Sequence, residues 1–141
     1  MTATTIQKSI FLKADRDTVW AYLTEPEKLA IWFHAPKAPL TEGAAFAMYG
    51  ATSGDKVIWG EVIAARPPDF LEYTFTVGPM GDAVSHVKWT LHGVSGGTQL
   101  QLLHEGLPQN AEAFDLMLAL DKGWDEHMGR MRSHLNEPVP A

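Results

Sequence analysis

Two side chains could do acid–base chemistry if the fold brings them together, His104 and Asp121. His104 ends an alternating segment, 98–105. Asp121 is the single polar residue on a stripe of Phe114, Met117, Asp121, Trp124, Met128, Met131 and Leu135. A carboxylate against an imidazole fixes its tautomer and raises its pKa, which makes an acid/base pair or a polar anchor for a ligand. Buried polar groups need partners in any event. The same two residues therefore also read as structural, bonded to each other, to Tyr73 or to trapped water.

Other chemistry is excluded or weak. The absence of cysteine removes disulfides, thiol nucleophiles, thiolate zinc sites and iron–sulfur ligation. The stretch Gly93-Val-Ser-Gly-Gly97 has the spacing of a nucleophile elbow. That motif works only at a strand-to-helix turn above a parallel sheet, and here it joins two alternating segments, so it reads as a hairpin turn. Among the six histidines, His127 and His134 are two helical turns apart, about 10 Å, too far to share one ion. His86 and His92 fall on an outward strand face. No metal site and no nucleotide-cofactor motif is expected. The net charge of −6, with no basic cluster, argues against nucleic acid. No apolar run approaches the ~20 residues a membrane-spanning helix needs. The N-terminus lacks a signal-peptide core, and the expectation is a cytoplasmic protein.

The elements that would position these residues follow from periodicity. The 141 residues read as one domain, with 136–141 as a frayed tail. A first strand covers 6–13. Asp15 then suits a helix N-cap before Val19, Trp20 and Leu23, and Pro26 suits the first turn of a second short helix carrying Leu29, Trp32 and Phe33. The segment 34–43 reads as a loop. Strands follow at 44–50, 56–66, 69–77, 84–93 and 98–105, separated by Gly- and Pro-marked turns. A helix from about 110 to 135 closes the chain. The fold class is α+β, with a curved antiparallel sheet wrapped around the long C-terminal helix and two short helices after the first strand.

A register anchored on the Pro67-Pro68 turn pairs Ala64 with Leu71, Val62 with Tyr73 and Gly60 with Phe75, leaving room for the phenyl ring at Gly60. In the next hairpin Leu91 pairs with Leu100, Trp89 with Leu102 and Val87 with His104. Trp59 points outward in this register and inward after a one-residue slip. Gly123 lies inside the last helix, where it would let helix and sheet approach closely. Between the concave face and the helix, a pocket is expected. Its walls would be Phe46, Met48, Tyr73, Phe75, Trp89, Leu102, Phe114, Met117 and Trp124, and its polar contacts Tyr73, His104 and Asp121.

The order of motifs is also familiar. Asp15 to Trp20, Leu23-Thr24-Glu25-Pro26-Glu27-Lys28-Leu29 and Trp32-Phe33 resemble the opening of the activator of heat-shock-protein-90 ATPase homologue-like family. Gly60-Glu61-Val62, Pro67-Pro68, Leu71 and Tyr73-Thr74-Phe75 resemble its middle. Gly97-Thr98, Leu100, Leu102, His104, Gly106 and Gly123-Trp124 resemble its end. The resemblance runs from about residue 6 to 135. It implies the helix-grip fold of the START-like, birch-pollen-allergen-like (SRPBCC) superfamily, whose members bind apolar molecules such as lipids, hormones and polyketides, some as cyclases or hydrolases.

Three readings of function follow. The first is a binding protein for a small apolar or amphipathic molecule, without a cofactor. The second is a cyclase/aromatase-type or hydrolase enzyme using His104 with Asp121. The third is a chaperone-associated protein acting through its surface. Fold alone does not decide among them, and both monomer and homodimer stay open.

Overall fold

The computed structural model describes residues 4–50, 53–78, 83–107 and 114–136. Among these, the chain forms strand β1 (Thr4–Leu12), helices α1 (Arg16–Thr24) and α2 (Pro26–Trp32), then strands β2 (Ala35–Pro36), β3 (Ala45–Tyr49), β4 (Lys56–Arg66), β5 (Phe70–Val77), β6 (Ser85–Val94) and β7 (Gly97–Leu107), and last helix α3 (Phe114–Asn136). The strands make one curved antiparallel sheet of order β1-β7-β6-β5-β4-β3-β2. The expected helix start near 110 and the tail beyond 136 lie outside the described residues.

Local chemistry explains the short helices. Asp15 caps α1 by accepting from the Thr18 backbone N–H at 2.9 Å. Pro26 occupies the first turn of α2, where its missing N–H leaves no bond unmade. The Trp32 indole N–H donates to the Tyr22 carbonyl at 2.8 Å and ties the two helices together. Beyond α2, the expected loop contains the two-residue strand β2, which pairs with β3.

The β6–β7 register is the expected one: Leu91 opposes Leu100, Trp89 opposes Leu102 and Val87 opposes His104. The pairs join through a turn at 95–96, so Gly93–Gly97 is a hairpin and not an elbow. An added Cβ at Gly97 would lie 2.2 Å from the Leu12 carbonyl oxygen, which is why that position takes glycine. In the β4–β5 hairpin Val62 opposes Tyr73 as expected, but a bulge follows. One extra residue in β4 sets Ala65, not Ala64, against Leu71, and Phe70, not Asp69, against Arg66. Asp69 instead closes the turn over the cis Pro67–Pro68 bond, its N–H donating to the Arg66 carbonyl at 2.7 Å.

Gly60 also has a different reason. A Cβ there would meet the Thr74 backbone oxygen at 2.2 Å, so the glycine serves close approach of two backbones rather than room for Phe75. Trp59 lies half-buried on the outer face beneath the Lys56 ammonium, 4.9 Å from the ring centroid, while Ile58 next to it is buried.

Candidate functional site: a side cleft beside a packed aromatic core

The concave face is mostly filled. Met48, Tyr73, Phe75, Trp89, Leu102, Met117 and Trp124 are all buried. Their rings touch: Trp89 and Trp124 centroids are 5.6 Å apart, Phe75 and Trp124 5.8 Å, and Phe46 packs edge-on to Tyr73 at 5.2 Å. The Trp89 indole N–H donates to the Tyr73 hydroxyl at 3.0 Å, and burial pushes the phenol pKa up. Phe114 stands 60% exposed at the start of α3 and walls nothing. The single chamber expected between sheet and helix is therefore a tightly packed core, as interiors are when no room is reserved.

His104 and Asp121 do not meet. Asp121 faces outward, 58% exposed, with the Lys8 ammonium 2.7 Å away; the same ammonium reaches Asp125 at 2.9 Å. Burial of Lys8 works against its charge, but the bonds to Asp121 and Asp125 outweigh this and hold its pKa above the ordinary value. The buried stripe of α3 is Met117, Trp124, Met128 and Met131, with Leu120 half-buried beside it, so Asp121 falls on the margin next to β1.

His104 is fully buried and completely bonded. The Trp124 indole N–H donates to Nδ1 at 3.0 Å, and Nε2 lies 2.7 Å from Ser85 Oγ, which donates to the Phe75 carbonyl at 2.7 Å. An indole can only donate, so Nδ1 carries the lone pair and Nε2 the proton. The chain of donors runs Trp124, His104, Ser85, Phe75 without a gap. Burial pushes the His104 pKa down to about 3, not up, because no carboxylate stands by to favour the cation.

Beside this core lies a cleft of about 190 Å³, lined by Phe33, His34, Val57, Ile58, Phe75, Val77, Ala119, Leu120, Gly123, Trp124 and His127. The start of β4 and the end of β5 form one wall and α3 the other. The α2–β2 connection brings in Phe33 and His34. Phe33 stacks on Trp32 at 5.1 Å and on Trp124 at 5.2 Å, and meets His127 edge-on at 4.9 Å. His34 and His127 have ring centroids 5.3 Å apart. Burial lowers the pKa of both, His127 to about 4, and the Arg130 charge adds to the lowering in each. A broader, open groove runs past Ile31, Arg130 and Ser133.

Gly123 explains the cleft's volume. A Cβ added there would meet nothing within 4 Å, so the glycine is not required for helix–sheet contact, contrary to expectation. Of the expected wall residues only Phe75 and Trp124 line the cleft. His34, His127 and the line Ala119–Leu120–Gly123 were missed. The signal was a second line on α3, at 120, 123 and 127, one position away from the apolar stripe. Among the described residues no cluster of three or more potential metal ligands occurs, and no helix is long and apolar enough to cross a membrane.

Comparisons with known proteins bear on the fold. CalU16 from Micromonospora echinospora superposes with a TM-score of 0.77 at 24% identity, covering 96% of this chain and 78% of that one. DynU16, a protein of the dynemicin biosynthetic locus, gives 0.79 at 26% identity, over 94% of this chain but 47% of its own. The Aha1 dimer from Colwellia psychrerythraea gives 0.79 at 16%, over 95% and 97%. No curated protein matches the chain. The model of the family described as activator of Hsp90 ATPase homolog 1-like protein matches residues 13–136. With its helix-grip, START-like fold, the chain belongs to that family.

Proposed function

We propose that the protein binds a small apolar or amphipathic molecule in the cleft between β4–β5 and α3. The observation that carries this reading is Gly123. Glycine inside a helix costs about 1 kcal/mol relative to alanine, and no neighbouring atom demands it here. What its missing side chain leaves is space, walled by Phe33, Ile58, Phe75, Leu120 and Trp124. Apolar walls with few polar groups at one end are the usual make-up of a ligand site.

The volume sets the ligand's size. At about 30 Å³ per water-sized group, the cleft holds roughly six such groups, fewer than a drug-sized pocket. The occupant is thus a short chain or a single ring, or the buried end of something longer.

The enzymatic reading built on His104 and Asp121 loses its pair. Both nitrogens of His104 are engaged, and Asp121 is bound to Lys8 on the outer side of α3. Nothing in that arrangement leaves His104 free to move a proton.

The test is a titration with 1-hexanol, followed by the NMR signal of the Trp124 indole N–H. A saturable shift in the parent protein, abolished in Gly123→Leu, supports the reading. The same response in both proteins, or none in either, overturns it. Gly123→Ala, a smaller plug, should weaken the response in a fold that is more stable than the parent.

A further inference from the structure

The lining of the cleft points to a more specific occupant. Five of its side chains are rings, and they form one unbroken run. Phe75 lies 5.8 Å from Trp124, Trp124 5.2 Å from Phe33, Phe33 4.9 Å from His127 and His127 5.3 Å from His34, centroid to centroid. Successive rings are tilted, stacked or edge-on, so the run offers both faces and edges to a further ring. The volume of about 190 Å³ suits one. An apolar cavity of about 150 Å³ in another protein is enough for benzene.

The polar groups set the rest. No charged side chain lines the cleft among the described residues, and burial holds both imidazoles below the ordinary histidine pKa. An ion entering would lose water and gain no counter-charge. The Trp124 indole N–H is already spent on His104. The half-buried His34 and His127 are left. His127 Nδ1 faces the Trp32 carbonyl at 3.0 Å, with Arg130 Nη1 at 2.8 Å on the same nitrogen. Among the described residues, no hydrogen bond reaches Nε2 of His127 or either nitrogen of His34. If Nδ1 donates to the carbonyl, Nε2 carries a lone pair. If Nδ1 accepts from Arg130, Nε2 carries the proton. A hydroxyl meets either form, because it both donates and accepts. A ketone or ether oxygen meets only the second.

Resting on the reading of the cleft as a binding site, we infer that its occupant is a single-ring phenol. The ring lies along the aromatic run and the hydroxyl reaches His34 and His127. A phenol keeps its proton at pH 7, since its pKa lies near that of tyrosine, about 10. It therefore brings no charge into a site that has none to match.

The experiment compares p-cresol with toluene, which has the ring alone, and 1-hexanol, which has the hydroxyl alone. Each is titrated at pH 7 and followed through the Trp124 indole N–H signal. The proteins are the parent, His34→Leu, His127→Leu and Gly123→Leu, with thermal unfolding as the check on the fold; if His127→Leu does not fold, His34→Leu decides. In the parent, p-cresol should bind about fivefold more tightly than either other probe, the size of one net hydrogen bond or one aromatic contact. Each histidine substitution should bring p-cresol down towards toluene and leave toluene no weaker. Equal binding of p-cresol and toluene in the parent overturns the hydroxyl, and equal binding of p-cresol and hexanol overturns the ring, while the cleft reading stands in both cases. A preference over toluene that survives in every folded histidine variant also overturns the inference. Failure of all three probes in the parent, or p-cresol binding unchanged in Gly123→Leu, removes the cleft reading and this inference with it.

Discussion

Two histidine sites within one fold behave in opposite ways. His104 sits in the middle of the core with every polar atom assigned, from the Trp124 indole through Ser85 to the Phe75 carbonyl. His127 sits at the end of a cleft with one nitrogen claimed by two partners. Both are desolvated, and both resist protonation. The difference lies in satisfaction. A closed chain of hydrogen bonds rigidifies a core and leaves nothing for a ligand. At His127 one ring nitrogen faces both an acceptor and a donor, so its hydrogen bonds do not close within the chain.

The largest expected effect tests the core side of this contrast. His104→Ala removes the acceptor of a buried indole N–H, deprives Ser85 of its partner and opens a void. Together these should cost about 3–4 kcal/mol in denaturant unfolding. His127→Gln, at a partly exposed site, should cost under about 1 kcal/mol. Similar losses at the two sites would erase the distinction.

Acid should act next in size. Unfolded His104 takes up a proton near 6.5, whereas the folded form does so only near 3. Its contribution is thus complete above about pH 6.5 and shrinks as pH falls toward 3, because the unfolded chain binds the extra proton. The slope from this one group is at most about 1.4 kcal/mol per pH unit. His127 adds in the same direction, down to about 4. His104→Leu should lose much of this slope, and unfolding curves at pH 7, 5.5 and 4 would measure it. An unchanged slope would mean that His104 is not held neutral.

Gly123→Ala and Gly129→Ala sharpen the comparison from the cleft side. Neither added Cβ meets an atom within 4 Å, so each should raise stability by about 1 kcal/mol. Only Gly123→Ala should weaken hexanol binding, since Gly129 lies on the other groove. Equal effects on binding would uncouple the glycine from the cleft. The smallest change belongs to Asp121→Ala, which leaves an exposed ion pair broken and should cost well under 1 kcal/mol. A loss above 2 kcal/mol by thermal unfolding would restore the buried role that the sequence suggested.

Much of the fold was legible because strand faces alternate strictly. Placing Leu91 against Leu100 put Trp89, Val87 and His104 on the buried face together, and a slip would have exposed all of them. The bulge after Val62 was not legible, since Ala64 and Ala65 are alike and either can face in. Asp121 failed for a geometric reason. Positions 120 and 121 lie 100° apart on the helix and flank the stripe of Met117, Trp124, Met128 and Met131 about equally, so either completes its spacing of threes and fours. What decides between them is Lys8, more than a hundred residues earlier in the chain. The cleft was hidden similarly, because it is assembled from Phe33, Val57 and Val77 at the ends of three separate elements and Gly123 inside a fourth.

The order of the sheet has a consequence in time. β1 is hydrogen-bonded to β7, with Ile6 set against His104. At the usual 5–20 residues per second of synthesis, its partner emerges roughly 5–20 s after β1 does. During that interval Ile6, Ile10 and Leu12, all buried in the finished protein, have no sheet to join. Pairings this distant in sequence close slowly even in the complete chain. The first strand made is therefore among the last to be locked, and the nascent protein is most open to wrong partners before β7 appears.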